Sequence, residues 1–211
     1  MLSFTYFTIS VVRKVAPSRR GFRPKFFGKM FNKILVAIDR SAASKEVFNK
    51  ALSLAKADEG CLILLHVLSV EESDSPFMSP YLMQHKNRCI HVDPRIMRQA
   101  NEEFDREWAD FKRKGMELLR SFSKKAISAE VSTEFTQIIG HPSSTICEFA
   151  RSCQADTIVI GRRGRSGLQE MLLGSVSNYV VHHAPCSIML VQTPILEEST
   201  SPKVKEHNIY A

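Results

Sequence analysis

Residues 161–177 read GRRGRSGLQEMLLGSVS and lie between a short apolar run and an amphipathic segment. The apolar run at 157–160 predicts a buried strand, and the segment from about 175 to 183 predicts a helix. Glycines at positions 161 and 164 allow positive φ and leave backbone N–H groups accessible to a ligand. The free N–H groups at the start of the helix, together with its dipole, favour an anion there, most often phosphate.

A plainer interpretation of this stretch is a long solvated turn, with glycines for conformation and Arg162, Arg163 and Arg165 for solubility. Two isolated glycines would justify that interpretation. The ordered series of two glycines, nine residues and then Gly174-Ser175, between a strand and a helix, favours a ligand-binding loop instead.

The rest of the chain alternates between strand and helix patterns. Continuous apolar runs predict buried parallel strands at 34–38, 61–68, 157–160 and 187–192, and alternation predicts a half-exposed edge strand at 131–135. Apolar residues at helical spacing predict helices at about 41–55, 96–123, 142–153 and 175–183, whereas residues 70–96, with three prolines, predict a long loop. Serines near position 41 are suited to cap the first helix. This alternation predicts a parallel sheet covered by helices on both sides.

One glycine and several histidines carry local predictions. Gly115 shares the apolar face of the long helix and predicts a close approach to the sheet. His66 ends a buried strand and is predicted to be a hydrogen-bonded core residue. His85, Cys89 and His91 lie in the proline-containing loop, but their irregular spacing argues against a metal site.

The charge balance argues against a nucleic-acid partner. The net charge is +7, and residues 1–29 contain seven basic residues and no acid, which leaves 22 bases against 22 acids in the remainder. The folded part is therefore neutral and lacks the basic excess of a nucleic-acid footprint. Five scattered cysteines without a CxxC pair indicate a reducing compartment, so we predict a cytoplasmic protein. No apolar run reaches the ~18 residues of a membrane span.

Composition also divides the chain. We predict a basic, disordered extension at 1–29, a domain at 30–193 and a disordered polar tail at 194–211. Because Met30 stands immediately before the domain, we interpret residues 1–29 as an extended translation start that forms a disordered basic tail, and an organelle presequence is the alternative.

Four segments together resemble one family. The spacing Gly161-x2-Gly164-x9-Gly174-Ser175 resembles the nucleotide-binding signature of the universal stress protein family. The segments 33–39, 65–67 and 185–191 resemble its first strand with a terminal aspartate, the end of its second strand and its last strand. The resemblance covers about residues 30–193. It implies an α/β fold with an open, doubly wound, five-stranded parallel sheet of order 3-2-1-4-5, a Rossmann-like nucleotide-binding architecture.

The implied strand order places two signals together. In a 3-2-1-4-5 sheet the order reverses between strands one and four, and ligands of open α/β sheets bind at that reversal. Asp39 follows strand one and Gly161 follows strand four. The resemblance implies ATP there, with or without Mg²⁺ or Mn²⁺. Asp39 would bind the ribose or adenine side, the Val67 backbone would meet the adenine edge, and Ala37 and Ile160 would line the base pocket. The implied phosphate-binding residues are Gly161, Gly164, Gly174, Ser175, Ser177 and the backbone of Val176.

Other interpretations of these residues stay open at this level. Asp39 is also suited to cap the first helix, and Ser175 to cap the helix that follows the glycine loop. The chain has no GxxxxGK[ST] motif and no Ser-Gly-Gly loop after strand one, and no nucleophile–base pair is evident in the glycine loop. These absences favour holding ATP over hydrolysing it.

We therefore predict an ATP-binding regulatory protein of the stress response that acts through nucleotide-dependent shape or through an unidentified protein partner. The alternatives are an interaction module with a structural nucleotide or none, and a slow ATPase. The apolar last strand, Ser187–Val191, lies at the implied sheet edge and predicts a homodimer through that edge.

Overall fold

The computed structural model of the chain describes residues 30–70, 72, 75–76, 93–162 and 173–192. Within these ranges the chain forms five strands and four helices that alternate along the sequence. The strands are β1 (Lys33–Ala37), β2 (Cys61–Leu68), β3 (Thr133–Ile139), β4 (Thr157–Gly161) and β5 (Ser187–Val191), and the helices are α1 (Ala43–Asp58), α2 (Pro94–Ser128), α3 (Pro142–Cys153) and α4 (Ser175–His183).

The five strands form one sheet in the order β3-β2-β1-β4-β5, and every neighbouring pair is parallel. In the register of the sheet, Ile34 of β1 lies opposite Leu62 of β2 and Thr157 of β4. The predicted fold is confirmed. The order reverses between β1 and β4, so the carboxyl ends of these two strands meet at the point where open α/β sheets bind ligands.

Side chains of alternate strand residues enter two separate cores. Ile34 and Val36 pack with α1 and α2 on one face, whereas Leu35 and Leu65 pack with α3 and α4 on the other. Burial on both faces explains why the central strands are apolar runs without alternation.

The long helix begins earlier than the sequence predicts, because Pro94 starts it instead of belonging to a loop. It also ends later, at Ser128. Proline lacks an N–H and suits the first helical turn, where that N–H would have no partner. The side chain of Asp93 accepts a hydrogen bond from the backbone N–H of Arg95 (2.8 Å) and caps the helix.

The predicted edge strand is also shifted. The N–H of Val131 donates to the carbonyl of Ala126 (3.0 Å), so this residue belongs to the turn that closes α2, and β3 starts at Thr133. Phe135 and Gln137 are almost fully buried because α2 covers this strand, which is therefore less exposed than its alternation predicts. Ile139, at its carboxyl end, is exposed.

Gly115 is the close approach of α2 to the sheet, as predicted. A Cβ at this position would overlap Gln137 Nε2 and lie 2.5 Å from His66 Nδ1. His66 itself is fully buried, and both of its ring nitrogens have hydrogen-bond partners. No helix within the described ranges has the length and hydropathy needed to span a membrane.

Candidate nucleotide-binding site

A cavity of about 450 Å³ lies at the carboxyl ends of β1, β2 and β4, where the strand order reverses. Of the ten residues that the sequence proposes for nucleotide binding, the nine that the structure describes all line this cavity. They are Ala37, Asp39, Val67, Ile160, Gly161, Gly174, Ser175, Val176 and Ser177. Gly164, the tenth, lies outside the described residues. The structure thus brings the set together, and the role of each residue toward a ligand stays a prediction.

The N-terminus of α4 forms one end of the cavity. Gly174 is the N-cap residue, in extended conformation, and no side chain among the described residues caps the helix. The interpretation of Ser175 as a cap is wrong, because Ser175 is already the first helical residue. The first turn also carries no acidic side chain. The partial positive charge of this helix end is therefore available to an anion in the cavity.

Ser177 holds the glycine loop against α4. Its buried hydroxyl lies 2.8 Å from the carbonyl of Arg162 and 3.0 Å from that of Gly174, and it donates toward both. The N–H of Gly174 donates to the same Arg162 carbonyl (3.1 Å). Since a hydroxyl has a single proton, these bonds fix the shape of the site, and Ser177 would have to release them to donate to phosphate.

Asp39 organises the turn between β1 and α1. Its Oδ1 accepts hydrogen bonds from the Ser41 N–H (3.0 Å), the Ser41 hydroxyl (2.5 Å) and the Ser44 hydroxyl (2.6 Å). The capping interpretations of Asp39 and of the serines are wrong, because Ala42 is the N-cap residue of α1 and no side-chain cap accepts a hydrogen bond from a backbone N–H of its first turn. Among the described residues, no hydrogen bond reaches Oδ2 of Asp39, so this oxygen is available to a ligand in the cavity.

The glycines contribute space more than unusual backbone angles. None of the glycines in the described ranges has positive φ, so Gly161 does not use the positive φ that glycine allows. Gly161 is the last residue of β4 and pairs with Val191 of β5, which requires ordinary extended backbone. What remains specific to glycine at this position is the missing Cβ beside the cavity.

Several lining residues have no clear sequence signal. In the sequence, the one sign that Ser41 and Ser44 belong to the site is that they closely follow Asp39. Pro142 and Ile146 come from α3, and only the topology brings them here. Glu72 stands in a segment that reads as a featureless loop. The remaining lining residues are Ile38, Ala43, Val47, Leu65 and Ser69.

No cluster of three metal-ligating side chains occurs in the described part of the chain. The alternative ligand set of His85, Cys89 and His91 lies outside the described residues.

The model of the universal stress protein family matches residues 30–192. The chain belongs to the universal stress protein family. Universal stress protein Sll1388 of Synechocystis sp. is 34% identical over 164 residues, which cover 77% of this chain and 98% of that protein. Universal stress protein YxiE of Bacillus subtilis is 32% identical over 165 residues, which cover 77% of this chain and 100% of that protein.

Solved structures agree with this assignment. Universal stress protein UspA from Lactobacillus plantarum superposes with a TM-score of 0.51 at 25% identity, over 76% of this chain and 97% of its own. The hypothetical protein MJ0577 superposes with a TM-score of 0.56 at 20% identity, over 78% of this chain and 98% of its own. The second likeness is one of fold.

Proposed function

We propose that this universal stress protein binds ATP in the cavity at the strand reversal and acts as a regulatory protein whose shape or partners depend on the nucleotide. The observation that carries the proposal is that Asp39 and the N-terminus of α4, which no described side chain caps, line the same cavity. An anion site and a carboxylate acceptor, separated by apolar walls, match the phosphate, sugar and base of a nucleotide.

The two ends of the cavity suit different parts of ATP. Gly161 and the start of α4 offer backbone N–H groups and space for phosphates. Toward β2, the apolar side chains of Val67, of Ala37 at the end of β1 and of Ile146 in α3 form walls for a flat base. The two ends are separated by two strand spacings, roughly 10 Å. This separation is comparable to the reach of a nucleoside triphosphate from base to phosphates.

We expect little or no hydrolysis. The carboxylates that line the cavity among the described residues are Asp39 and Glu72. Asp39 is held by the serines of the α1 turn, and Glu72 lies at the end away from α4. Neither belongs to a nucleophile–base pair beside the phosphate end. The site is better suited to holding ATP than to cleaving it.

A second copy of the chain is the partner that we propose. β5 lies at one edge of the sheet, and Met189 and Leu190 are 38% and 39% exposed. An apolar edge strand offers unpaired backbone groups and side chains that a matching strand would cover.

A substitution at Asp39 tests the ATP site. Asp39→Asn keeps Oδ1 as the acceptor for the Ser41 and Ser44 bonds but replaces Oδ2 by an amide donor. A hydrogen bond to a charged group is worth about 1.5–3 kcal/mol, so we expect the ATP affinity to fall about tenfold or more by calorimetry. The melting temperature should stay close to that of the wild type.

Asp105→Asn, on the exposed part of α2, is the matched control and should bind ATP as the wild type does. Equal ATP affinity of wild type and a folded Asp39→Asn protein would exclude Asp39 from the site. No ATP binding by the wild type would refute the proposed function.

A further inference from the structure

A chain of buried polar groups runs from α2 through β3 and β2 to the cavity. The side-chain Nε2 of Gln137 lies 3.2 Å from the carbonyl of Lys112 and 3.0 Å from Nδ1 of His66. On the other side of the ring, Nε2 of His66 lies 3.3 Å from Oε1 of Glu72. Gly115 makes room for this chain, because a Cβ there would collide with both Gln137 and His66.

These contacts assign the direction of each hydrogen bond. Since Gln137 Nε2 faces the Lys112 carbonyl, it is the amide nitrogen and donates to it; it also donates to His66. Nδ1 of His66 is then an acceptor, and its ring proton sits on Nε2, where it donates to the Glu72 carboxylate. The buried Gln137 and His66 side chains therefore hold the Nε2–H group of His66 in place, and its hydrogen bond fixes one oxygen of Glu72.

Glu72 lies at the β2 end of the cavity. Its backbone N–H donates to the Ser69 carbonyl (3.2 Å), its side chain is 9% exposed, and the residue lines the cavity with Val67 and Ser69. This end lies away from α4, where the phosphates are expected. The Glu72 carboxylate, which can only accept hydrogen bonds, is thus fixed beside apolar walls at the position where the base is expected.

We propose that Glu72 is a specificity-determining residue, whose carboxylate accepts a hydrogen bond from the exocyclic amino group of adenine. A carboxylate has about four acceptor positions, and the bond from His66 occupies one of them. A purine with a carbonyl oxygen in place of the amino group would set acceptor against acceptor. This inference rests on the proposed nucleotide binding.

Calorimetric titration of the full chain with ATP and with inosine triphosphate tests it, since inosine triphosphate has a carbonyl oxygen in place of that amino group. Its adjacent ring nitrogen also carries a proton, so a Glu72 variant, and not the wild type alone, decides the role of this residue. We expect the wild type to bind ATP at least about tenfold more tightly. Glu72→Gln keeps an oxygen for His66 and presents amide N–H groups to the base. The preference for ATP should fall below about threefold or reverse in this variant.

Glu46→Gln, in the first turn of α1, is the matched control and should keep the wild-type preference. The inference is overturned, with the proposed function intact, by equal binding of both nucleotides to the wild type. An unchanged preference in folded Glu72→Gln, or an equal loss of both affinities, overturns it in the same way. Failure of the wild type to bind either nucleotide overturns the inference and the proposed function together.

Discussion

At the scale of single residues, Gly115 shows how tightly α2 packs on the sheet. Glycine inside a helix costs about 1 kcal/mol relative to alanine. The structure shows what this cost permits: the backbone of α2 approaches His66 and Gln137 so closely that no side chain fits between them. The buried hydrogen-bond chain that ends at Glu72 therefore depends on a missing Cβ in a different element.

Gly115→Ala should destabilise the protein despite the better helix propensity of alanine. Overpacking a buried site costs about 1–3 kcal/mol, because the fully buried His66 ring has no space into which it can move. Urea unfolding measures the change. Ser121→Ala, on the exposed face of the same helix, should alter the free energy of unfolding by less than about 0.5 kcal/mol. A Gly115→Ala protein as stable as the wild type would show that the contact is loose.

The cysteines give a prediction of pH dependence. Burial, the largest cause, raises the pKa of the Cys147 thiol above its ordinary value of 9.0. As the pH rises past about 9, the unfolded chain ionises this thiol before the folded chain does, so the folded state loses relative stability. Below that pH both states keep the proton, and the contribution is constant.

The difference in free energy of unfolding between wild type and Cys147→Ala should therefore shrink from pH 8 to pH 10. Urea unfolding at the two pH values measures it. A difference that grows over this interval would contradict a raised pKa at Cys147.

At the scale of elements, β5 is the strand with an open side. β3, at the opposite edge, is covered by α2 along most of its length, whereas Met189 and Leu190 of β5 keep more than a third of their surface exposed. Tyr179 and Val181 of the neighbouring helix α4 are exposed to a similar degree. Part of the exposed apolar surface of the described residues therefore lies on the β5 side of the molecule.

Met189→Asp should convert a dimer into a monomer. A stable dimer buries on the order of 1,600 Å² in total, and a charge in the middle of that surface would be desolvated without a partner. Light scattering at micromolar concentration measures the mass. Ile139→Asp, at the end of the opposite edge strand β3, is the matched control and should leave a dimer. A monomeric wild type, or a dimeric Met189→Asp protein, would show that β5 is not the interface.

At the scale of the whole molecule, hydrogen bonds tie the first described residues to distant parts of the domain. The N–H of Phe31 donates to Asp58 (3.0 Å), and those of Asn32 and Lys33 both donate to Asp156 (2.8 Å each). These bonds hold the start of β1 to the last residue of α1 and to the residue before β4. The division of the chain into a domain at 30–193 and two tails remains a prediction.

A chain that begins at Met30 should match the full chain in melting temperature, to within about 2 °C, and in ATP affinity. The reason is that the entry bonds and all the described lining residues of the cavity lie after that residue. Thermal unfolding and calorimetry provide the comparison. A large loss of either property would assign residues 1–29 a structural or binding role. Mature protein cleaved near residue 29 in an organelle would identify them as a presequence.

Much of this molecule was predictable from local patterns. Apolar runs located the central strands, and the glycine spacing with Asp39 located the cavity, because strand ends and helix starts leave strong local signals. The misplaced start of α2 arose because Pro94 suits a loop and a first helical turn equally well. Glu72 was missed because tertiary contact with His66, and no local pattern, places it in the cavity. Gly161 keeps an extended backbone, so its missing Cβ matters there and not the positive φ that glycine allows.

Isothermal titration calorimetry of ATP with the wild type and Gly161→Val addresses nucleotide binding at this cavity most directly. Valine places a branched Cβ where phosphate or ribose must approach, at a position whose extended backbone accepts any residue. We predict saturable binding of one ATP per chain by the wild type and none by a Gly161→Val protein whose circular dichroism shows a native fold. A folded Gly161→Val protein with wild-type ATP affinity would contradict the placement of the nucleotide between Asp39 and α4.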